Sequence, residues 1–305
     1  VYSPGTVIIS SVANVSDLKK AVNPALKAVE DSHLLYIDFS SDERQLGGSA
    51  LAQVLNQVGQ KAPSVQNPDY FKTCFAFIQQ LVHNQHILAG HDISDGGLIS
   101  AAMEMCFPNN GIGLDLDLSI FDEEDSVKLL FAENTGVLIQ VRDLYTVQEL
   151  ANQNYIKLEV LGKVKLEPQV NVTLSGQELN LDVSKYRDLW FKTSYLFDKQ
   201  QSGEALAQSR FENYKTHELN FKFPETFNGK LPDTSLKPRL KAAIIREKGS
   251  NSEREMAHAM YLAGFDVKDI HTTDLMSGRE DLSDVQFIAA VGGFSNSDVL
   301  GSAKG

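Results

Sequence analysis

Cysteine is scarce: Cys74 and Cys106 are the only two in 305 residues. Two thiols cannot build a disulfide framework, so a stapled secreted scaffold is excluded and a reducing compartment, the cytoplasm, is the expected setting. Cationic side chains are also in short supply. Lys and Arg number 28 against 40 Asp and Glu, a formal net charge of −12, and the pI is near 5.0. That balance argues against a partner made of nucleic acid, which needs a basic face to neutralise phosphates. It argues equally against docking on an anionic membrane surface. No apolar run in the sequence approaches the ~20 residues needed to cross a bilayer, and the opening VYSPG has neither the basic nor the apolar region of a secretory signal. What is present is ordinary globular composition, 42% hydrophobic and 22% charged. A chain of this length and make-up suggests about two folded domains rather than disorder.

The apolar pattern supports an α/β reading. Short β-branched or apolar runs at 6–12, 34–39, 87–90 and 136–141 are expected strands, and 113–118 alternates as a half-buried strand does. Helix is expected to start at 16–21 and to run over 50–58, 98–107 and 146–153. Asn67 followed by Pro68 is a helix start, after which Phe71, Cys74, Phe75, Ile78, Leu81 and Val82 mark one apolar face. Residues 160–183 read as β-rich. Residues 1–183 are therefore expected to form one layered domain. Residues 184–236 read as a connector, a helix anchored by Trp190, Phe191, Tyr195 and Leu196 followed by an irregular proline-bearing stretch. From 237 a second α/β pattern begins. Strands are expected at 242–245, 265–270 and 287–291, with a turn at 249–251, a capping box over Ser252 to Glu255, and Gly264 closing the helix. Three strands are fewer than a doubly wound sheet normally holds, so residues 237–305 read as the start of such a domain in a longer protein.

The segment HDISDGG (91–97) carries the sharpest chemical signal. Asp92 and Asp95 offer hard oxygen ligands suited to Mg²⁺, while Ser94, Gly96 and Gly97 let a hydroxyl and backbone approach phosphate at a helix start. The same residues suit a plain cap, with Asp95 capping the helix and the glycines forming the turn. Gly47, Gly48 and Ser49 precede another expected helix and can admit a phosphate or simply turn tightly. Gly292, Gly293 and Phe294 follow an apolar strand; their amides suit an oxyanion hole or an ordinary strand exit. No Gly-Lys-Ser/Thr follows this last loop, which excludes a P-loop there. Both cysteines lie in apolar helical stretches and read as buried thiols. His83 and His86 find no third ligand nearby and read as a solvated face. His91 either orients the Asp cluster or is simply packed, and Glu133 is either a supporting group or a surface carboxylate.

LGGSALAQ (46–53) and GHDISDGGLISAAMEM (90–105), in this order and spacing, resemble the second synthetase half of the large, single-chain phosphoribosylformylglycinamidine synthases. LWFKTSYLFDKQ (189–200) is similar to that family's connector. The stretch from Ala242 to Gly305 resembles the opening of its class I glutamine amidotransferase domain. The resemblance covers essentially the whole chain. It implies a synthetase subdomain similar to the C-terminal domain of aminoimidazole ribonucleotide synthase, followed by the start of a doubly wound amidotransferase sheet. It implies an ATP-dependent ligase of purine biosynthesis that takes formylglycinamide ribonucleotide and glutamine and yields the formylglycinamidine ribonucleotide, glutamate, ADP and phosphate. Carried over residue by residue, Asp92 matches a Mg²⁺ ligand and Ser94 a residue binding ATP or ADP. Gly292, Gly293 and Phe294 match the oxyanion loop. The nucleophilic cysteine and its His and Glu partners are expected beyond Gly305, so this chain alone is expected to be inactive. Asn296 and Ser297 depart from the Tyr-Gly that many members carry in that loop. In the large members of the family the resemblance implies a structural second-half site that holds ADP rather than turning it over; the alternatives to a part of the working ligase are a non-catalytic nucleotide-binding module or another ATP-binding enzyme of the aminoimidazole ribonucleotide synthase superfamily.

Overall fold

The computed structural model describes residues 9–15, 17–215, 222–226, 230, 233, 235 and 237–294. They divide into two units at residues 217/218.

In the first unit seven strands form one sheet among the described residues: β1 (His33–Asp38), β2 (Ile87–Asp92), β3 (Gly113–Asp117), β4 (Gly136–Val141), β5 (Glu159–Lys165), β6 (Gln169–Leu174) and β7 (Gln177–Asp182). Their order is β2-β4-β1-β5-β3-β6-β7. Every neighbouring pair is antiparallel except β3 and β6. The central strand β1 explains the layering. Its Leu34 and Tyr36 enter one core and its Leu35 and Ile37 the other, because successive side chains leave a strand on opposite faces. A strand buried on both faces needs a layer over each.

Among the described residues seven α-helices accompany the sheet: α1 (Ala50–Val54), α2 (Pro68–His83), α3 (Gly97–Cys106), α4 (Ser126–Phe131), α5 (Leu144–Gln153), α6 (Val183–Ser202) and α7 (Glu204–Asn213). Helices α3 and α4 contribute to the core that holds Leu34 and Tyr36, and α2 and α5 to the other. In α2, Asn67 accepts the Tyr70 amide as N-cap and Pro68 takes the first turn. The buried face is Cys74, Phe77 and Leu81. Phe75, expected on that face, is 55% exposed, and Phe77 is 2% exposed; a 3.6-residue repeat from Cys74 reaches position 77 or 78, not 75.

Three other expectations change. Helix α1 stops at Val54 rather than 58, since Val54, Leu55 and Val58 find nothing to pack on and Asn56 turns left-handed at φ 55°. Residues 9–12 are not a strand, and Ile9 and Val12 stand in solvent without a pairing partner; residues 6–8 lie outside the described residues. The helix expected from 16 is a single 3₁₀ turn, Leu18–Lys20, capped by Asp17. The expected connector begins as helix α6, which packs on α3: Arg187 donates to the Phe107 carbonyl at 2.9 Å and to Asn110 at 2.8 Å.

The second unit runs β8 (Leu240–Arg246), α8 (Glu253–Leu262), β9 (Phe265–His271), α9 (Thr272–Ser277) and β10 (Phe287–Ala290). The strands are parallel in the order β10-β8-β9, with Ala242, Ile244 and Met260 as their buried centre. Gly264 follows α8 with φ 99°, the conformation a helix-ending glycine supplies. The capping box expected at Ser252 does not form. Ser252 is left-handed at φ 68° and makes no cap bond, because a side-chain cap needs an extended backbone at that position.

Phe77→Ala is expected to cost about 3–5 kcal/mol of stability and Phe75→Ala under about 1 kcal/mol, read by urea unfolding of the two variants.

Candidate functional site

Strand β2 ends at Asp92 and delivers the acidic turn at the end of the sheet. Ile93, itself buried, donates its amide to the Gly136 carbonyl at 2.8 Å, and Gly97 donates to the Ser94 carbonyl at 3.0 Å. Gly96 and Gly97 take φ of 85° and 70°. A Cβ on Gly96 would lie 2.3 Å from Ser100 Oγ, and one on Gly97 2.7 Å from the Phe131 backbone. Both the conformation and the space demand glycine here.

Asp95 does not cap α3. The cap position is Gly96, with no side-chain cap bond. Its amide instead donates to Glu133 Oε1 at 2.8 Å. The same carboxylate oxygen accepts the Ala50 amide, also at 2.8 Å. Glu133 thus joins the turn at 91–97 to the loop at 46–49, two motifs about forty residues apart in the sequence. Ser94 and Asp95 project into solvent, and the Asp92 side chain is 77% exposed.

The loop at 46–49 is already hydrogen-bonded within itself. The amides of Gly47, Gly48 and Ser49 donate to the carbonyls of Lys61, Val58 and Leu46. Ser49 Oγ donates to the Leu46 carbonyl and accepts the Ala52 amide as cap of α1. A Cβ on Gly47 would lie 2.2 Å from the Lys61 carbonyl oxygen. The geometry is that of a tight turn whose amides are already engaged.

His91 ties the turn to the helices behind it. Its Nδ1 lies 2.6 Å from the Asp92 carbonyl and 3.5 Å from the Asp92 carboxylate. Its Nε2 lies 3.3 Å from Glu104 Oε2, while Glu104 Oε1 accepts the Trp190 indole at 2.9 Å. The hydrogen bond to Glu104 raises the His91 pKa, and the same contact lowers that of Glu104. Glu104 and Trp190 were not singled out as site residues. The available signal was a lone carboxylate inside AAMEMCF, an apolar stretch where a charge requires a partner. A cavity of about 270 Å³ borders Gly90, His91 and Asp92, with Val22, Ile78 and Val82 as apolar wall.

Among the described residues no three His, Cys, Asp or Glu side chains gather to hold a metal ion. This covers His83 and His86; the Asp92 carboxylate faces solvent beside His91. In the second unit Gly292, Gly293 and Phe294 are exposed. The Asn251 amide donates to the Gly292 carbonyl at 2.9 Å, and Gly293, at φ 143°, bridges Ser250. Asn296 and Ser297 lie outside the described residues. Both cysteines are buried and free. Burial raises the Cys74 thiol and pushes Cys106 up to about 12, the reverse of what a nucleophile needs. Among the described residues no helix is long and apolar enough to cross a membrane.

Residues 39–175 match the family described as AIR synthase related protein, C-terminal domain, and residues 239–305 match the CobB/CobQ-like glutamine amidotransferase domain. The chain therefore carries, in this order, a segment similar to the AIR-synthase-related C-terminal domain and a segment similar to a glutamine amidotransferase domain. Over its whole length it is similar to phosphoribosylformylglycinamidine synthases. It is 38% identical over 317 residues to the Arabidopsis thaliana protein named probable phosphoribosylformylglycinamidine synthase, chloroplastic/mitochondrial, covering 100% of this chain and 22% of that one. It is 36% identical over 314 residues to the Homo sapiens phosphoribosylformylglycinamidine synthase, covering 100% and 23%. The solved Thermotoga maritima PurL complexed with FGAR aligns with a TM-score of 0.45 and 16% identity, over 55% of this chain and 29% of that one. The chain spans less than a quarter of the length of these curated relatives.

Removing the shared acceptor in Glu133→Ala is expected to lower stability by about 1–3 kcal/mol in urea unfolding, and Glu133→Gln by less, since the amide oxygen still accepts. A native thiol that keeps its proton contributes nothing at neutral pH. Stability is lost as pH rises from the unfolded thiol value of about 8.5 toward the native one. At pH 8 a disulfide exchange reagent is expected to titrate two thiols in denaturant and to react far more slowly with the native chain.

Proposed function

We propose that this chain is part of an ATP-dependent amidoligase that converts formylglycinamide ribonucleotide, glutamine and ATP into formylglycinamidine ribonucleotide, glutamate, ADP and phosphate in purine biosynthesis. The observation that carries this reading is the co-occurrence, in one chain and in this order, of an AIR-synthase-related domain and amidotransferase sequence, with similarity to synthases of this name along the full length. The first unit supplies the turn at 91–97 and the second the strand exit at 292–294. The domain limits in this reading are 1–183 for the synthetase subdomain, 184–236 for the connector and 237–305 for the start of the amidotransferase domain. The remaining partners are glutamine, the ribonucleotide and the rest of the same polypeptide, with no nucleic acid and no membrane. The location is the cytoplasm; one relative's name places it in plastids or mitochondria instead.

Asp92 and Ser94 are the residues proposed to hold a nucleotide with Mg²⁺. The donor set fits an ion held mostly by phosphate oxygens, water and one carboxylate. Asp92 is exposed, and among the described residues no Lys or Arg pairs with it and no further carboxylates close a protein cage around it. Bound there, Mg²⁺ would supply neutralisation of phosphate charge. The chain's own contribution is to fix Asp92 through His91 and to aim the turn through Glu133 and Gly96. Gly47, Gly48 and Ser49 support the turn from the side, since their amides are engaged. Gly292, Gly293 and Phe294 are proposed to form the oxyanion loop, with the cysteine nucleophile and its His and Glu partners beyond Gly305.

Asp92→Ala is expected to abolish stabilisation of the full-length protein by Mg²⁺ and ADP, which at a hundredfold excess over Kd amounts to about 2.7 kcal/mol. Thermal unfolding with and without nucleotide checks it. A structural nucleotide predicts a fall in melting temperature with little change in synthesis rate, and a working nucleotide predicts the reverse. The 305-residue chain is expected to release no glutamate from glutamine in a coupled assay; measurable hydrolysis would place the nucleophile within it.

A further inference from the structure

The turn that follows α3 reads Phe-Pro-Asn-Asn-Gly-Ile over 107–112. Its two asparagines are held differently. Asn109 is pinned, with Nδ2 donating to the Leu26 carbonyl at 2.7 Å and its amide to the Cys106 carbonyl at 3.2 Å. Asn110 and Gly111 are both exposed. Asn110 Oδ1 accepts Arg187 Nη1 at 2.8 Å. Neither Asn110 Nδ2 nor the Gly111 amide has a hydrogen-bond partner among the described residues. A Cβ built on Gly111 would meet nothing within 4 Å, and its φ lies outside the left-handed range. The Gly111 nitrogen is therefore open on the side from which its neighbour's amide can approach.

The other half of the arrangement is Arg187 on α6. It is only 5% exposed, and its Nε is buried without a partner. The acceptors its Nη1 does reach, the Phe107 carbonyl and Asn110 Oδ1, are both neutral. The carboxylate next to it in sequence, Asp188, is engaged by the Tyr214 hydroxyl at 2.5 Å and by Lys215 at 2.6 Å. Among the described residues no carboxylate forms an ion pair with Arg187. A buried guanidinium without an anionic partner is a costly arrangement, and its hydrogen bonds strengthen when the acceptor is ionised. The surroundings of Asn110 thus favour chemistry that turns its amide into a carboxylate.

We propose that Asn110 is a site of spontaneous deamidation, with water as co-reactant, and that the carboxylate formed pairs with Arg187 and tightens the attachment of α6 to the end of α3. The Gly111 nitrogen attacks Asn110 Cγ and gives its proton to solvent base. Arg187 Nη1, already on Oδ1, stabilises the negative oxygen that develops there. The Cγ–Nδ2 bond then breaks, ammonia leaves with a proton taken from water, and a cyclic imide joins Asn110 to Gly111. Water opens the ring at either carbonyl and leaves aspartate or isoaspartate. In sum, one amide and one water become one carboxylate and one ammonium ion. Glycine lets the ring close, because a side chain at the attacking residue crowds its nitrogen. The other Asn-Gly pair of the sequence, Asn228-Gly229, lies outside the described residues. The site is separate from the turn at Asp92 and does not depend on a nucleotide binding there.

Incubation of the 305-residue chain in mildly alkaline buffer, followed by peptide mass spectrometry, tests it. Conversion of Asn110 to aspartate and isoaspartate is expected, faster as pH rises. The rate is expected to fall about tenfold or more in Gly111→Ala, where the space and backbone accept a methyl group, and several-fold in Arg187→Gln. Asn110→Asp is expected to raise the melting temperature of the chain, and the rise to vanish when Arg187→Gln is added. That comparison of Asn110→Asp with the parent keeps the test decisive should Arg187→Gln perturb folding, which circular dichroism reports. An Asn110 that keeps its amide overturns the proposal, as does an Asn110→Asp variant that melts at or below the parent. An unchanged rate in a folded Arg187→Gln variant overturns the part given to Arg187.

Discussion

One carboxylate oxygen organises the acidic turn. Glu133 Oε1 takes the amides of Gly96 and Ala50, which begin two helices and are therefore donors with no partner inside their own helix. A serine or aspartate cap would serve one helix from its own chain segment. Glu133 serves two from outside, and it stands three residues before β4, whose Gly136 carbonyl holds the Ile93 amide. The turn is thus held at both ends by one short stretch of chain, and that stretch belongs to a strand paired on both sides. The position of Asp92 and Ser94 follows from the sheet, not from contacts between the acidic residues.

The sheet can do this because β1 is buried on both faces, with helices supplying a core on each. Close packing on two sides leaves the strands little freedom to shift, so the loops at their ends inherit fixed positions. His91 extends the same logic backward. Its ring reaches from Asp92 to Glu104, and Glu104 reaches Trp190 on α6. The helix that follows the sheet is in this way part of the support of the turn.

Much of this was legible from residue pattern. The apolar runs at 34–39, 136–141, 242–245 and 265–270 became strands because β-branched and apolar runs have few other ways to be buried, and Asn67-Pro68 started a helix as its chemistry requires. The Asp-Ile-Ser-Asp-Gly-Gly turn lies at a strand end before a helix, as its order suggested. What pattern missed was set by tertiary contact. Whether Phe75 or Phe77 faces the core depends on helix phase, and α1 ends early because nothing covers its apolar residues. Asp95 looked like the cap because it is adjacent; Glu133 does the work from 37 residues away, a distance at which sequence carries no geometric signal. Glu133 was recognisable only as one of two possibilities.

Trp190 is the only tryptophan in the chain, half-exposed and bonded through its indole to Glu104. Indole emission responds to the loss or gain of a charged hydrogen-bond acceptor. The molecule therefore carries an intrinsic optical reporter two links from the aspartate turn, and rearrangements there are visible in its ultraviolet fluorescence without any dye being attached.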